Sequence, residues 1–101
     1  MYNPFNSGST RLTANGVVGV SGKPVRVYSV TVMSGGTAGK SALYNGTAIS
    51  GTPYIWAAGT ANTSQTTNFE GGVLFPSGCY ADIDTVGSNT SSLLVEFSMQ
   101  I

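Results

Sequence analysis

Apolar and polar residues alternate with period two at the end of the chain. Leu93, Val95, Phe97, Met99 and Ile101 share one face, and Leu94, Glu96, Ser98 and Gln100 share the other. That spacing predicts a strand with one buried face. Val25–Met33 is the second strong signal, with four valines, Tyr28, Thr31 and Met33 among its residues. Strict alternation there puts Val25, Val27, Ser29, Thr31 and Met33 on one face and Arg26, Tyr28, Val30 and Val32 on the other. Apolar groups on both faces predict a strand in the middle of a sheet.

Shorter strands are predicted at Val17–Val20, Lys40–Tyr44, Tyr54–Ala58, Phe69–Phe75 and Cys79–Asp84, with a bulge at Gly71-Gly72. Ser21-Gly22-Lys23-Pro24, Ser34–Gly39 and Pro76-Ser77-Gly78 separate them, and Asn45-Gly46 reads as a hairpin turn. The polar stretch Gly59–Asn68 reads as an exposed loop. Residues 1–10 hold only Tyr2, Pro4 and Phe5 as bulky apolar members and read as a polar N-terminal arm before one domain over residues 11–101. About seven short strands with no helical periodicity give an all-β chain, an antiparallel β-sandwich of jelly-roll-like form. An immunoglobulin pattern is unsupported, because Cys79 has no second cysteine to pair with.

Composition narrows the function. Glycine, serine and threonine together make 39 of the 101 residues, and only 8% are charged, so the chain is rich in turns and poor in charge. A hydrophobic fraction of 41% at zero net charge is that of a chain that folds. Four basic residues, Arg11, Lys23, Arg26 and Lys40, are balanced by four acidic ones, which argues against nucleic acid as a partner. The chain holds no run of 18 apolar residues, so membrane insertion is not expected, and Met1–Asn6 has neither the basic flank nor the apolar run of a secretion signal. A single cysteine fits synthesis in a reducing cytoplasm.

Candidate chemistry is sparse. Gly39-Lys40-Ser41 after an apolar strand suggests a phosphate-binding loop, but Ser34 stands where its first glycine belongs, and an Asn-Gly turn follows where a helix is required. Asp82 and Asp84 lack the remaining ligands of a calcium loop, since Val86 and Leu93 occupy ligand positions. With no histidine in the chain, Cys79 has no base to activate it and reads as a small buried side chain. No catalytic residue, cofactor or metal is expected. Tyr54 and Trp56, on one face of a short strand, either fill the core or form a contact surface. Tyr2 and Phe5 give the arm two aromatic groups for attachment.

Thr13–Val18, Val25-Arg26-Val27-Tyr28, Gly36-Thr37-Ala38-Gly39 with Leu43–Thr47, and Gly72–Tyr80 together resemble a group of small all-β structural proteins of tailed bacteriophages. The resemblance spans roughly residues 13–99. It implies a virion component made in the host cytoplasm, a capsid decoration or cement protein on the capsid surface. The implied partners are the major capsid protein and further copies of the chain, as a homotrimer at a local three-fold. A receptor- or glycan-binding module of a tail fibre, using Tyr54, Trp56 and Gly59–Asn68, is the alternative.

Overall fold

The period-two segments pair into two antiparallel four-stranded sheets in the computed structural model, which describes residues 7–36, 38–83 and 92–99. In chain order the strands are β1 (Ser7–Leu12), β2 (Gly16–Val18), β3 (Val25–Met33), β4 (Gly39–Asn45), β5 (Ile55–Gly59), β6 (Ser64–Phe75), β7 (Cys79–Ile83) and β8 (Ser92–Met99). One sheet has the order β1-β8-β3-β6 and the other β2-β7-β4-β5. Among the described residues there is no helix.

The two sheets share one core in a sandwich-like arrangement. Val25, Val27, Val30, Val32, Phe75, Leu93 and Val95 come from the first sheet, and Val18, Leu43, Ile55, Ala57, Cys79, Ala81 and Ile83 from the second. On β8, Leu93 and Val95 are fully buried, and Phe97 and Met99 pack against the core, as the alternation predicts.

Four elements differ from the sequence pattern. Among the described residues there are eight strands, against about seven expected. The additional one is β1, which takes residues 7–10 out of the expected arm and pairs them along β8, with Gly8 opposite Phe97 and Leu12 opposite Leu93. A Ser-Gly-Ser-Thr run has no apolar periodicity to announce a strand; its backbone pairs because β8 offers an open edge. Met1–Asn6, with Tyr2 and Phe5, lies outside the described residues, as do Asp84 and Ile101.

The second difference lies in β3. It is internal to its sheet, as expected, yet its four valines all reach the same core. Val27 pairs with Phe97 and Ser29 with Glu96, so Tyr28 is an extra residue on β3. On the other side Val27 pairs with Val73 and Ser29 with Asn68, so Phe69–Gly72 bulges out opposite Tyr28. A bulge of one residue switches the parity of a strand. Val30 and Val32 therefore turn inward instead of lying opposite Val25 and Val27. Gly71 and Gly72 take φ of 76° and 78°, and Arg26 reaches across to the Gly71 carbonyl, donating at 3.2 Å.

The third difference is at Gly59–Asn68, where only residues 60–63 form a turn and 64–68 begin β6. Thr63 closes the turn by donating its hydroxyl to the Thr60 carbonyl at 2.7 Å. The fourth is Asn45-Gly46, which ends β4 without forming a two-residue hairpin, since β5 begins only at Ile55. The Asn45 Oδ1 instead accepts the Ser77 N–H at 2.8 Å, and the Gly46 N–H donates to the Gly78 carbonyl at 2.9 Å. These bonds bring the β4–β5 and β6–β7 connections together at one end of the molecule. Gly78, at φ of 104°, also abuts Gly22 there, so a Cβ on Gly78 would lie 3.1 Å from the Gly22 nitrogen.

Candidate interaction surface

The outward faces of the two sheets differ in chemistry. By alternation, β1, β8, β3 and β6 turn Ser9, Arg11, Arg26, Glu96, Ser98, Thr31, Thr66 and Asn68 outward, a mostly polar set that also holds Met33, Leu74 and Leu94. Hydrogen bonds run among these side chains: Thr31 Oγ1 to Thr66 Oγ1 at 2.7 Å, Tyr28 to Ser98 at 3.0 Å, and Arg11 to Ser92 at 3.4 Å. Their polar groups are thus partly engaged with one another.

The other sheet presents aromatic and small apolar groups. Its ladder lines up Val17, Tyr80 and Tyr44 in one row, Asp82, Ala42 and Trp56 in the next, and Lys40 with Ala58 in the third. Ala42 is 3% and Tyr44 8% exposed, so both are buried although they lie outside the central apolar cluster. Trp56 stands at the edge of this face with 65% of its surface exposed. Only Lys40 and Asp82 are charged in these three rows.

Local sequence did not decide the setting of Trp56. In Ile55-Trp56-Ala57-Ala58 both parities are apolar, so hydrophobicity alone leaves the inward face open. Pairing with β4 settles it: Ile55 is opposite the core residue Leu43, and Trp56 is opposite Ala42. Covering the exposed part of the indole removes on the order of 150 Å² from water, a gross gain of about 4 kcal/mol. An anchor of that size is typical of a contact hot spot.

Tyr54 does not extend the same strand face. It precedes β5, donates its backbone N–H to the Leu43 carbonyl at 2.9 Å, and lays its ring 5.2 Å from that of buried Phe75. Its outer half is exposed, at 51%. Val20 and Ile49, also exposed, sit on the β2–β3 and β4–β5 connections, which meet near Gly78 with the end of β6 that carries Phe75. Tyr54 thus belongs with these loops, and Trp56 with the sheet face. Sequence reasoning missed Val20 and Ile49; an isolated isoleucine in the Ser/Gly/Thr-rich connection was the available signal.

The remaining candidates are structural. Gly39-Lys40-Ser41 opens a β-strand, with Lys40 paired to Ala58, so no helix N-terminus stands there to hold a phosphate. Cys79 is fully buried, and desolvation pushes its thiol up from 9.0 to about 12, which keeps it protonated and unreactive at neutral pH. Comparisons of the chain with protein-family models, with curated proteins and with solved structures give no match.

Proposed function

We propose that the chain is a non-enzymatic structural protein of a bacteriophage virion, a capsid decoration or cement protein that binds the major capsid protein shell as a symmetric oligomer. In this reading the outer face of the β2-β7-β4-β5 sheet is the docking surface and Trp56 its anchor. The observation that carries it is the exposed indole of Trp56 on the outer face of this sheet, a face that also carries exposed Ala58 and half-buried Tyr80, set against a more polar face on the other sheet. The strand orders β1-β8-β3-β6 and β2-β7-β4-β5 support assigning the topology to the jelly roll, a two-sheet form used widely in viral shells. The near absence of charge suits dense packing of copies on a surface without mutual repulsion.

Counting copies in purified virions, with heads and tails separated, tests the reading. Hundreds of copies on heads, with binding of the free protein to empty capsids weakened at least tenfold by Trp56→Ala, is the expected result. A few copies confined to tails would overturn it.

A second reading is favoured by one feature of the same face. Asp82 lies in the Trp56 row beyond Ala42 and Lys40 lies in the next row, so a ring for stacking shares its face with hydrogen-bonding groups, as in sugar recognition. A tail-fibre glycan-binding module is that alternative. Quenching or shift of Trp56 fluorescence on adding host polysaccharide, with no change on adding capsids, would select it.

A further inference from the structure

Each sheet has two edge strands, β1 and β6 in one and β2 and β5 in the other. Edge strands expose backbone N–H and C=O groups that pair with another chain unless something blunts them, such as shortness, charge, proline or cover. β2 has only three residues, β1 carries Arg11, and β5 is a strand of five residues, three of them buried. The beginning of β6 has none of these protections. Ser64-Gln65-Thr66-Thr67-Asn68 is uncharged, lacks proline and glycine, and is exposed at all five positions. Its inner edge is fully laddered to β3, from Met33 opposite Ser64 to Ser29 opposite Asn68, and the Thr31–Thr66 hydroxyl contact ties it down at its middle. Among the described residues no other strand pairs with its outer edge.

We propose that this edge is a self-association site, at which β6 of one copy pairs antiparallel with β6 of a second copy about a two-fold axis through Thr66. Directly opposed residues in a β-ladder point to the same side of the sheet, so in an antiparallel pair of identical strands the axis must pass through a residue. Of the five residues, only Thr66 as the centre engages all of them. Thr66 then faces the partner's Thr66, Gln65 the partner's Thr67, and Ser64 the partner's Asn68. These are hydroxyl and amide pairs of the kind that stabilise sheets, and no like charges oppose one another.

The occupant is a second copy because the strip is complementary to itself. A foreign extended peptide gains specificity from side-chain pockets or charges, and this strip carries no charge to select one. The Thr60–Thr63 turn and the Phe69–Gly72 bulge bound the strip, so the shared ladder is five residues, roughly 17 Å long. An interface of that length falls below about 1,200 Å², in the size class of weak associations. The pairing therefore forms at high local concentration, and joins two four-stranded sheets into one of eight strands. Trp56 belongs to the other sheet, on its outward side.

Disulfide trapping at defined register tests the proposal. Opposed residues in an antiparallel ladder have Cα atoms about 4.5–5.5 Å apart, within the range of about 4.4–6.8 Å that a disulfide spans. Under mild oxidation Thr66→Cys should cross-link into covalent dimers at least tenfold faster than Thr47→Cys, a control on an exposed loop. Ser64→Cys and Asn68→Cys should each cross-link slowly alone and rapidly when mixed. Cys79 is buried and does not compete. In sedimentation equilibrium of the otherwise unaltered chain, Thr66→Lys should abolish dimers while Trp56→Ala leaves them. Equal trapping rates for Thr66→Cys and Thr47→Cys, a trimer in place of the dimer, or dimers lost with Trp56→Ala would each overturn the proposal.

Discussion

Ser41 stands on the inner face of β4, between Ala57 and Ile83, with its hydroxyl buried and without a hydrogen-bond partner among the described residues. A buried polar group left unpaired costs about 1–3 kcal/mol in lost hydration. Ser41→Ala removes that cost without opening a sizeable cavity, so it should stabilise the protein by about 1 kcal/mol and raise the melting temperature by about 5 °C. Thermal denaturation followed by circular dichroism checks this, and a lowered midpoint would mean that the hydroxyl is engaged. Gly78 is the opposite case. A side chain there meets backbone atoms of Gly22 and Gly46 as well as an unfavourable φ. Gly78→Ala should therefore destabilise by at least about 1 kcal/mol, read as a lower urea midpoint at unchanged slope. Trp56 was legible as a candidate contact because a tryptophan in a short apolar strand stands out. Its exposure was not, since both parities of that strand are apolar and the pairing partner β4 decides between them.

Elements were legible in proportion to their apolar content. β8 alternates without interruption, and its inward set matches the pattern through Met99. β3 was recognisable as an internal strand, but the Tyr28 bulge that brings Val30 and Val32 inward depends on pairing with β8 and β6 at once. In the sequence β1 and the start of β6 look like arm and loop because serine, threonine and glutamine give no periodic signal; what orders them is a backbone ladder to a strand distant in sequence. That ladder has measurable weight. A chain that begins at Thr13 loses all of β1, leaves the β8 edge open and uncovers the side of the core under Leu12. It should be at least about 3 kcal/mol less stable, from lost backbone hydrogen bonds and lost apolar burial. Equilibrium unfolding measures it, and an unchanged midpoint would mean that β1 contributes nothing.

Two sheets enclose a core, and among the described residues Cys79 is the one titratable side chain of its central cluster. Its pKa is raised on folding, so the folded state holds the thiol proton more tightly than the unfolded state does. That contribution to stability is fully present below pH 9 and is lost as the pH rises from 9.0 to about 12. The stability of the natural chain should therefore fall more steeply over that window than that of Cys79→Ala, the two unfolding curves converging as pH increases. Parallel curves would mean that the thiol ionises equally in both states. Period-two alternation and turn residues are local properties of the chain, and they suffice for an all-β chain with antiparallel strands, the core face of β8 and the lack of helical periodicity. Which polar segments become strands, where β3 changes parity and which side of β5 meets solvent follow instead from pairing between strands. Those outcomes depend on hydrogen bonds and packing between segments far apart in sequence, and no local pattern of side chains encodes them.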